Sequence, residues 1–295
     1  MQMSNKYIRS AKALTQFLSV ILKRNIIVGR EKYSINVVYR NQLLKAVINN
    51  SYYEASLDHL FRAIFSIREG AVIDVGANVG QTLIKVLEIE KNRQYIGFEP
   101  QTSCCFFIDQ FIIDNNLNNH VIMPIGLSDG RGITKLGLRR PNDTTASMID
   151  EYRPGGFYFY HKYIPVISGD EVLLTFELPA ISLVKIDVEG AELEVIRGLS
   201  LLIKKHKPYI VFEILPNYLF ATKTELDEEI SEIRKQRHAD TEKELRAHGY
   251  LIYQIQTDNS LRKIDAIKAA RRHVFNYIAV PEEEDNHFAD AIRIL

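Results

Sequence analysis

Four acidic side chains stand where apolar runs of the sequence end. Asp74 lies in AVIDVGANVG, Glu99 closes YIGFE, and Asp187 and Glu189 lie in VKIDVEGAE. A carboxylate so placed can accept hydrogen bonds from sugar hydroxyls, hold a cation, or take a proton from a weak nucleophile. Asp74 comes just before a tight turn, Gly76-Ala77-Asn78-Val79-Gly80, in which the glycines let the backbone approach a ligand with no Cβ in the way. Glu99, followed by Pro100, falls about twenty residues beyond the turn. At that distance a carboxylate can accept both ribose hydroxyls of an adenosine.

Two cofactor classes use such a layout. A dinucleotide places a pyrophosphate on the following helix and favours G-x-G-x-x-G. Here the pattern is G-x-N-x-G, and Thr82 stands where a third glycine would be expected. Asp74 would repel a pyrophosphate but can help to hold the ammonium end of S-adenosylmethionine. Charge therefore favours the latter cofactor, with Asp74, Gly76, Ala77, Asn78, Gly80, Thr82, Glu99 and Pro100 as its expected contacts. Methyl transfer from a sulfonium is an in-line displacement, so it depends on alignment, and an alcohol acceptor must also lose a proton. Asp187 and Glu189 are the expected catalytic pair, one orienting the acceptor and one accepting its proton. Glu213, ending another apolar run, could line the same place. Glu192 is read as complementing a helix dipole.

The elements that must position these residues alternate. Strand-like runs at Val72–Val75, Tyr95–Phe98, Val121–Ile125, Leu183–Ile186 and Tyr209–Glu213 are separated by helical segments at Gln81–Glu90, Cys104–Asn116 and Ala191–Lys205. A long charged helix, Leu226–His248, precedes two last strands, Leu251–Gln256 and Phe275–Val280. Near-continuous apolar strands joined by helices imply a parallel sheet covered on both faces. The expected fold is therefore α/β, a doubly wound, mostly parallel seven-stranded sheet with an antiparallel final pair. Residues 126–180 break the alternation with short β-like pieces and an aromatic run over Phe157, Tyr158, Phe159, Tyr160, His161 and Tyr163. Those rings could face a sugar or pack on a core or subunit interface, and His161 could serve as a base.

Residues 1–58 read as an extension made of an amphipathic helix and a short strand, Ser34–Arg40, and 59–281 as the main domain, with 130–170 inserted on its acceptor side and 282–295 as an acidic, solvated tail in which Phe288, Ile292 and Leu295 could dock. Lys6, Arg9, Lys12, Lys23, Arg24 and Arg30 alternate with Ile8, Ala11, Leu14, Leu18, Ile21 and Leu22 at helical spacing. Such an amphipathic helix can pack on the core, on a second subunit in a homo-oligomer, or on an anionic membrane as a peripheral contact. Lys+Arg and Asp+Glu both total 37. That balance lacks the basic footprint of a nucleic-acid binder. Cys104 and Cys105 are adjacent, which rarely suits a disulfide, so a reducing, cytoplasmic setting is expected. The eight histidines are scattered and no spacing specifies a metal site.

AVIDVGANVGQT, IGFEP, GLSDGRG, TTASM and above all VKIDVEGAELEVIRGL followed by PYIVFEIL resemble the FkbM-type methyltransferases. The resemblance runs over roughly residues 70–216, and departs mildly from the family pattern at Gly126 and Gly169. It implies a Rossmann-like class I fold and S-adenosylmethionine-dependent O-methylation, typically of a hydroxyl on a sugar or a related natural product. It also brings Ser128 and Asp129 into the expected cofactor site. The acceptor is expected to be a glycan or other hydroxylated molecule, and N-methylation of an amino sugar or a non-catalytic cofactor-binding role are the alternatives.

Overall fold

The computed structural model describes residues 22–37, 55–140, 143, 145–176, 178, 180–216, 228–268 and 275–294. Strands β1 (Leu22–Val28) and β2 (Glu31–Val37) form a hairpin ahead of helix α1 (Ala55–Ile67). β3 (Ala71–Val75), α2 (Gln81–Ile89), β4 (Tyr95–Phe98), α3 (Thr102–Asp114) and β5 (His120–Met123) follow in alternation. β6 (Gly126–Ser128), β7 (Gly132–Leu138) and β8 (Tyr160–Ser168) form a small sheet of their own, and a short helix α4 (Gly169–Leu173) leads back from it. Then come β9 (Ile181–Ile186), α5 (Glu192–Gly198), α6 (Ser200–His206), β10 (Tyr209–Glu213), α7 (Glu228–Ala247), β11 (Tyr250–Ile255), β12 (Leu261–Lys263), β13 (Asn276–Pro281) and α8 (Asp285–Ile294).

The large sheet has the order β12-β11-β13-β10-β9-β3-β4-β5. The run from β10 to β5 is parallel, and β13 lies antiparallel between β10 and β11. This is the doubly wound α/β sheet read from the apolar runs, with the three-residue β12 added at one edge. Chain order reverses between β3 and β9, so a crevice opens beyond their carboxyl ends.

Why the central strands are apolar throughout follows from their two coats. Successive side chains point to opposite faces. Val72, Leu183 and Val211 join the core packed with α1, α2, α3 and α8, whereas Ile73, Val184 and Ile210 join the core packed with α5, α6 and α7. In α1 the buried Leu57, Leu60, Phe61 and Ile64 recur at helical spacing. After Pro281 the acidic residues lead into a docked helix, as the apolar Phe288 and Ile292 allowed: α8 packs on α1, and Phe288 is buried 5.2 Å from the Tyr209 ring.

Two readings change. Leu22, Lys23, Arg24 and Arg30 belong to the β1–β2 hairpin rather than to an amphipathic helix. Backbone pairing and a tertiary anchor outweigh the helical spacing there: Tyr33 stacks near Phe111, and Asn115 hydrogen-bonds both the N–H and the carbonyl of Ser34. The rest of that proposed helix, residues 1–21, lies outside the described residues. The single helix expected over 191–205 is two, α5 and α6, meeting at Leu199. Among the described residues no helix is long and apolar enough to cross a membrane.

Candidate active site

The turn after β3 is held by backbone bonds. The N–H groups of Gly76 and Ala77 both donate to the Phe98 carbonyl, at 2.9 and 3.0 Å, and the Gly80 N–H donates to Ala77 O. Gly76 has φ +85°, and a Cβ there would lie 1.9 Å from the carbonyl oxygen of Asp187. Only glycine permits that approach of two strand ends. Asn78 also takes a left-handed φ of 49°, and its N–H donates to Glu99 Oε2 at 2.9 Å. The Gln101 N–H donates to Glu99 Oε1 at 2.8 Å. Each oxygen of Glu99 keeps a further lone pair for a ligand hydroxyl. Burial pushes the Glu99 carboxyl up to about 7 despite those two donors.

A cavity of about 400 Å³ opens on this turn. Gly76, Asn78, Glu99 and Pro100 line it together with Asp187, Glu189 and Glu213. Asp187 ends β9, where its N–H donates to Val75 O and its Oδ2 lies 3.2 Å from Lys185 Nζ. Glu189 sits at φ 54°, next to Gly190 at φ 116°. Its Oε2 pairs with Arg153 at 2.7 Å. Burial and then the Asp187 carboxylate push Glu189 up to about 7, against the pull of Arg153.

Distant parts of the chain hold this second turn. Ser147 Oγ donates to the Glu189 carbonyl at 2.7 Å and Arg237 donates to the Gly190 carbonyl at 3.0 Å. A Cβ on Gly190 would meet the Tyr152 ring at 2.5 Å. The buried Arg234 donates to the Tyr152 and Pro216 carbonyls, and Arg237 pairs with Glu194. Glu192 accepts the Gly190 N–H at 2.9 Å, so it caps the turn below α5, and burial pushes it up to about 7.

The other expected contacts stand back from the cavity. Asp74 is fully buried beneath the turn, where the Tyr95 hydroxyl donates to its Oδ2 at 2.6 Å. Burial pushes its carboxyl up, and the charge of Lys185 is the largest opposing influence. Ala77, Gly80 and Thr82 shape the turn and the start of α2 without lining the space. Ser128 and Asp129 also lie off the cavity. Their backbone packs on Gly198, where a Cβ would be 1.9 Å from Ser128 O, so GLSDG and VIRGL meet as a packing contact. In the aromatic run, Phe157 carries the Arg139 and Arg153 guanidinium groups on its ring, whereas Phe159, Tyr160, His161 and Tyr163 are exposed. His161 does not line the cavity.

Several lining residues escaped the reading of the strand ends. Leu136, Thr145, Ala146 and Met148 come from the small-sheet region, and Gln101, with Nε2 donating to Asp143 O at 2.6 Å, closes the Glu99 side. TTASM was a usable signal for three of them; Leu136 and Gln101 carried none. Asp143 organises that segment by accepting the N–H groups of Arg139 and Thr145. Among the described residues no group of His, Cys, Asp or Glu is placed to hold a metal ion.

A family model described as a methyltransferase FkbM domain matches residues 74–252. No curated protein matches the chain in sequence. Among solved structures, a methyltransferase FkbM from Methylobacillus flagellatus KT is 14% identical with a TM-score of 0.43, over 83% of this chain and 62% of that one. The chain thus spans less than two thirds of that protein. A SAM-dependent O-methyltransferase from Thermotoga maritima is 10% identical with a TM-score of 0.39, over 87% of this chain and 77% of that one. A precorrin-6y C5,15-methyltransferase from Geobacter metallireducens GS-15 is 13% identical with a TM-score of 0.37, over 77% of this chain and 86% of that one.

Proposed function

Because the chain belongs to the FkbM methyltransferase family, we propose that it is an S-adenosylmethionine-dependent O-methyltransferase acting on a hydroxyl of a glycan or sugar-containing metabolite. The observation that carries this reading is one cavity shared by the glycine turn, Glu99, and the pair Asp187 and Glu189. The residues fit the cofactor. Glu99 presents a buried carboxylate whose two oxygens each accept one backbone N–H and keep lone pairs to spare for ribose hydroxyls, on the wall of the cavity beside the glycine turn. Gly76, Asn78, Glu99 and Pro100 would hold it. When bound, it supplies a methyl group on a positively charged sulfur.

The protein's own contribution is alignment and proton transfer. Glu189 takes the acceptor's proton. A carboxylate raised to about 7 is matched to that task at neutral pH. Asp187, paired with Lys185, orients the acceptor oxygen. Replacing Asp187 with Ala should leave cofactor binding largely intact while turnover falls by about 10²-fold or more. The site itself supports a second reading: Asp187, Glu189 and Glu213 would also receive the ammonium of an amino sugar. A cytoplasmic location belongs to the same proposal, supported by two buried cysteines that form no disulfide.

Incubation with methyl-labelled S-adenosylmethionine and fractionated cell glycans, with the label located by mass spectrometry, tests the reading. Label on sugar oxygen supports it. Label on nitrogen only would replace it with the amino-sugar reading, and no label at all on glycans would remove the substrate class.

A further inference from the structure

Lys185 enters the chemistry just described only as the ion-pair partner of Asp187, yet it occupies the middle of the molecule. It lies on β9, one of the central strands, and is only 7% exposed. An ammonium in such a place is costly unless it is paired. Its partners come from both sides of the chain reversal. In the β3–β9 register Lys185 stands opposite Asp74, which is fully buried. Along its own strand it lies two residues before Asp187, with Nζ 3.2 Å from Oδ2. Alternation puts residues 185 and 187 on the same side of the strand.

A cation here also works against binding a positively charged methyl donor nearby. Its place between two carboxylates is better explained by what it does to them. We propose that Lys185 is a positioning residue that fixes the Asp187 carboxylate at the cavity wall and is itself anchored by Asp74. The strand beneath the donor turn is thereby tied to the acceptor-facing carboxylate. This account rests on the methyl-transfer reading and on the role of Asp187 in it. Asp74 then serves the site from below, which fits its absence from the cavity lining.

The test measures kcat, acceptor KM and cofactor affinity by calorimetry for Lys185→Met, Lys185→Arg, Asp187→Ala and the Lys185→Met/Asp187→Ala pair. Lys185→Met should lower kcat about tenfold, the size of a typical coupling between contacting groups. Cofactor affinity should stay within about threefold. Lys185→Arg, which keeps the charge, should recover most of the loss. With Asp187 already replaced, removing Lys185 should cost nothing further. The inference is overturned by wild-type kcat in Lys185→Met, by an equal loss in the Asp187→Ala background, or by Lys185→Arg behaving like Lys185→Met. A fall in cofactor affinity larger than the fall in kcat overturns it as well. If Lys185→Met does not fold, Lys185→Met/Asp74→Asn removes the buried carboxylate together with its partner and should show the same kcat loss; wild-type turnover there overturns the inference. The two readings fail separately. Wild-type turnover in Asp187→Ala refutes the role of Asp187, whereas slow Asp187→Ala beside fast Lys185→Met refutes only the tie.

Discussion

The two edges of the cavity are built by different means. On the edge proposed to face the methyl donor, Gly76, Ala77, Asn78 and Gln101 are joined through backbone N–H groups to Phe98 O and to the Glu99 carboxylate, all within 26 residues of sequence, from 76 to 101. On the acceptor-facing edge, the Glu189–Gly190 turn is held by Ser147, Arg153 and Arg237, which lie 42, 36 and 47 residues from the groups they bind. The first edge is a local motif in which side-chain identity matters chiefly at glycine and at one acid. The second is an assembly of side chains from the small-sheet region and α7.

The sharpest way to break this contrast is Gly76→Ala. Both atoms that would clash belong to strand ends that cannot easily shift, and φ +85° is itself unfavourable for alanine. Cofactor affinity should fall by about 100-fold or more; calorimetry showing unchanged affinity would mean the donor edge is not rigid. Next is Glu189. Because burial holds its carboxyl up to about 7, turnover should climb as pH rises through 7 and the group ionises. Glu189→Gln should lower turnover by about 10²-fold and flatten that rise, with cofactor affinity preserved. A rise that survives in the variant would assign the limb to another group.

Ser147→Ala probes the acceptor edge more gently. It removes two hydrogen bonds, one to the strained Glu189 carbonyl and one from the Ile149 N–H, each about 1 kcal/mol, so kcat should drop several-fold while cofactor affinity holds. Equal losses in both would erase the distinction between the edges. The smallest effect concerns stability. Glu192 has a folded-state pKa raised to about 7, above its unfolded value, so the folded state holds the proton more tightly. Its contribution is present at low pH and is lost as pH rises from about 4.5 to about 7. The melting temperature should fall over that window, and Glu192→Gln, which keeps an acceptor for the Gly190 N–H, should fall less.

Legibility follows the same division. That Asp74, Gly76 and Glu99 gather at one turn was readable, because glycine and carboxylate recur there at the ends of apolar runs. The role of Asp74 was not. The Tyr95 hydroxyl reaches it from β4 and Lys185 stands opposite it on β9, and sequence distance says nothing about strand adjacency. Ser128 and Asp129, expected at the cofactor from their motif, stand off the cavity with their backbone packed on Gly198, a contact between segments 69 and 70 residues apart that spacing does not reveal. Within the β1–β2 hairpin the second strand was legible in the alternation that begins at Ser34, whereas β1 was read as helix because its basic and apolar residues fit helical spacing, and the anchor from Asn115 lies 81 residues away.

The amino-acid sequence by itself determined the α/β alternation, the glycine turn, the acid at the end of β4 and the family, because each is written in short-range pattern. Only the tertiary structure decided that Glu189 sits beside Arg153, that Thr145 and Met148 line the cavity while His161 does not, and that Lys185 stands between Asp74 and Asp187. Those are juxtapositions of segments far apart in the chain. Packing, not local preference, brings them together.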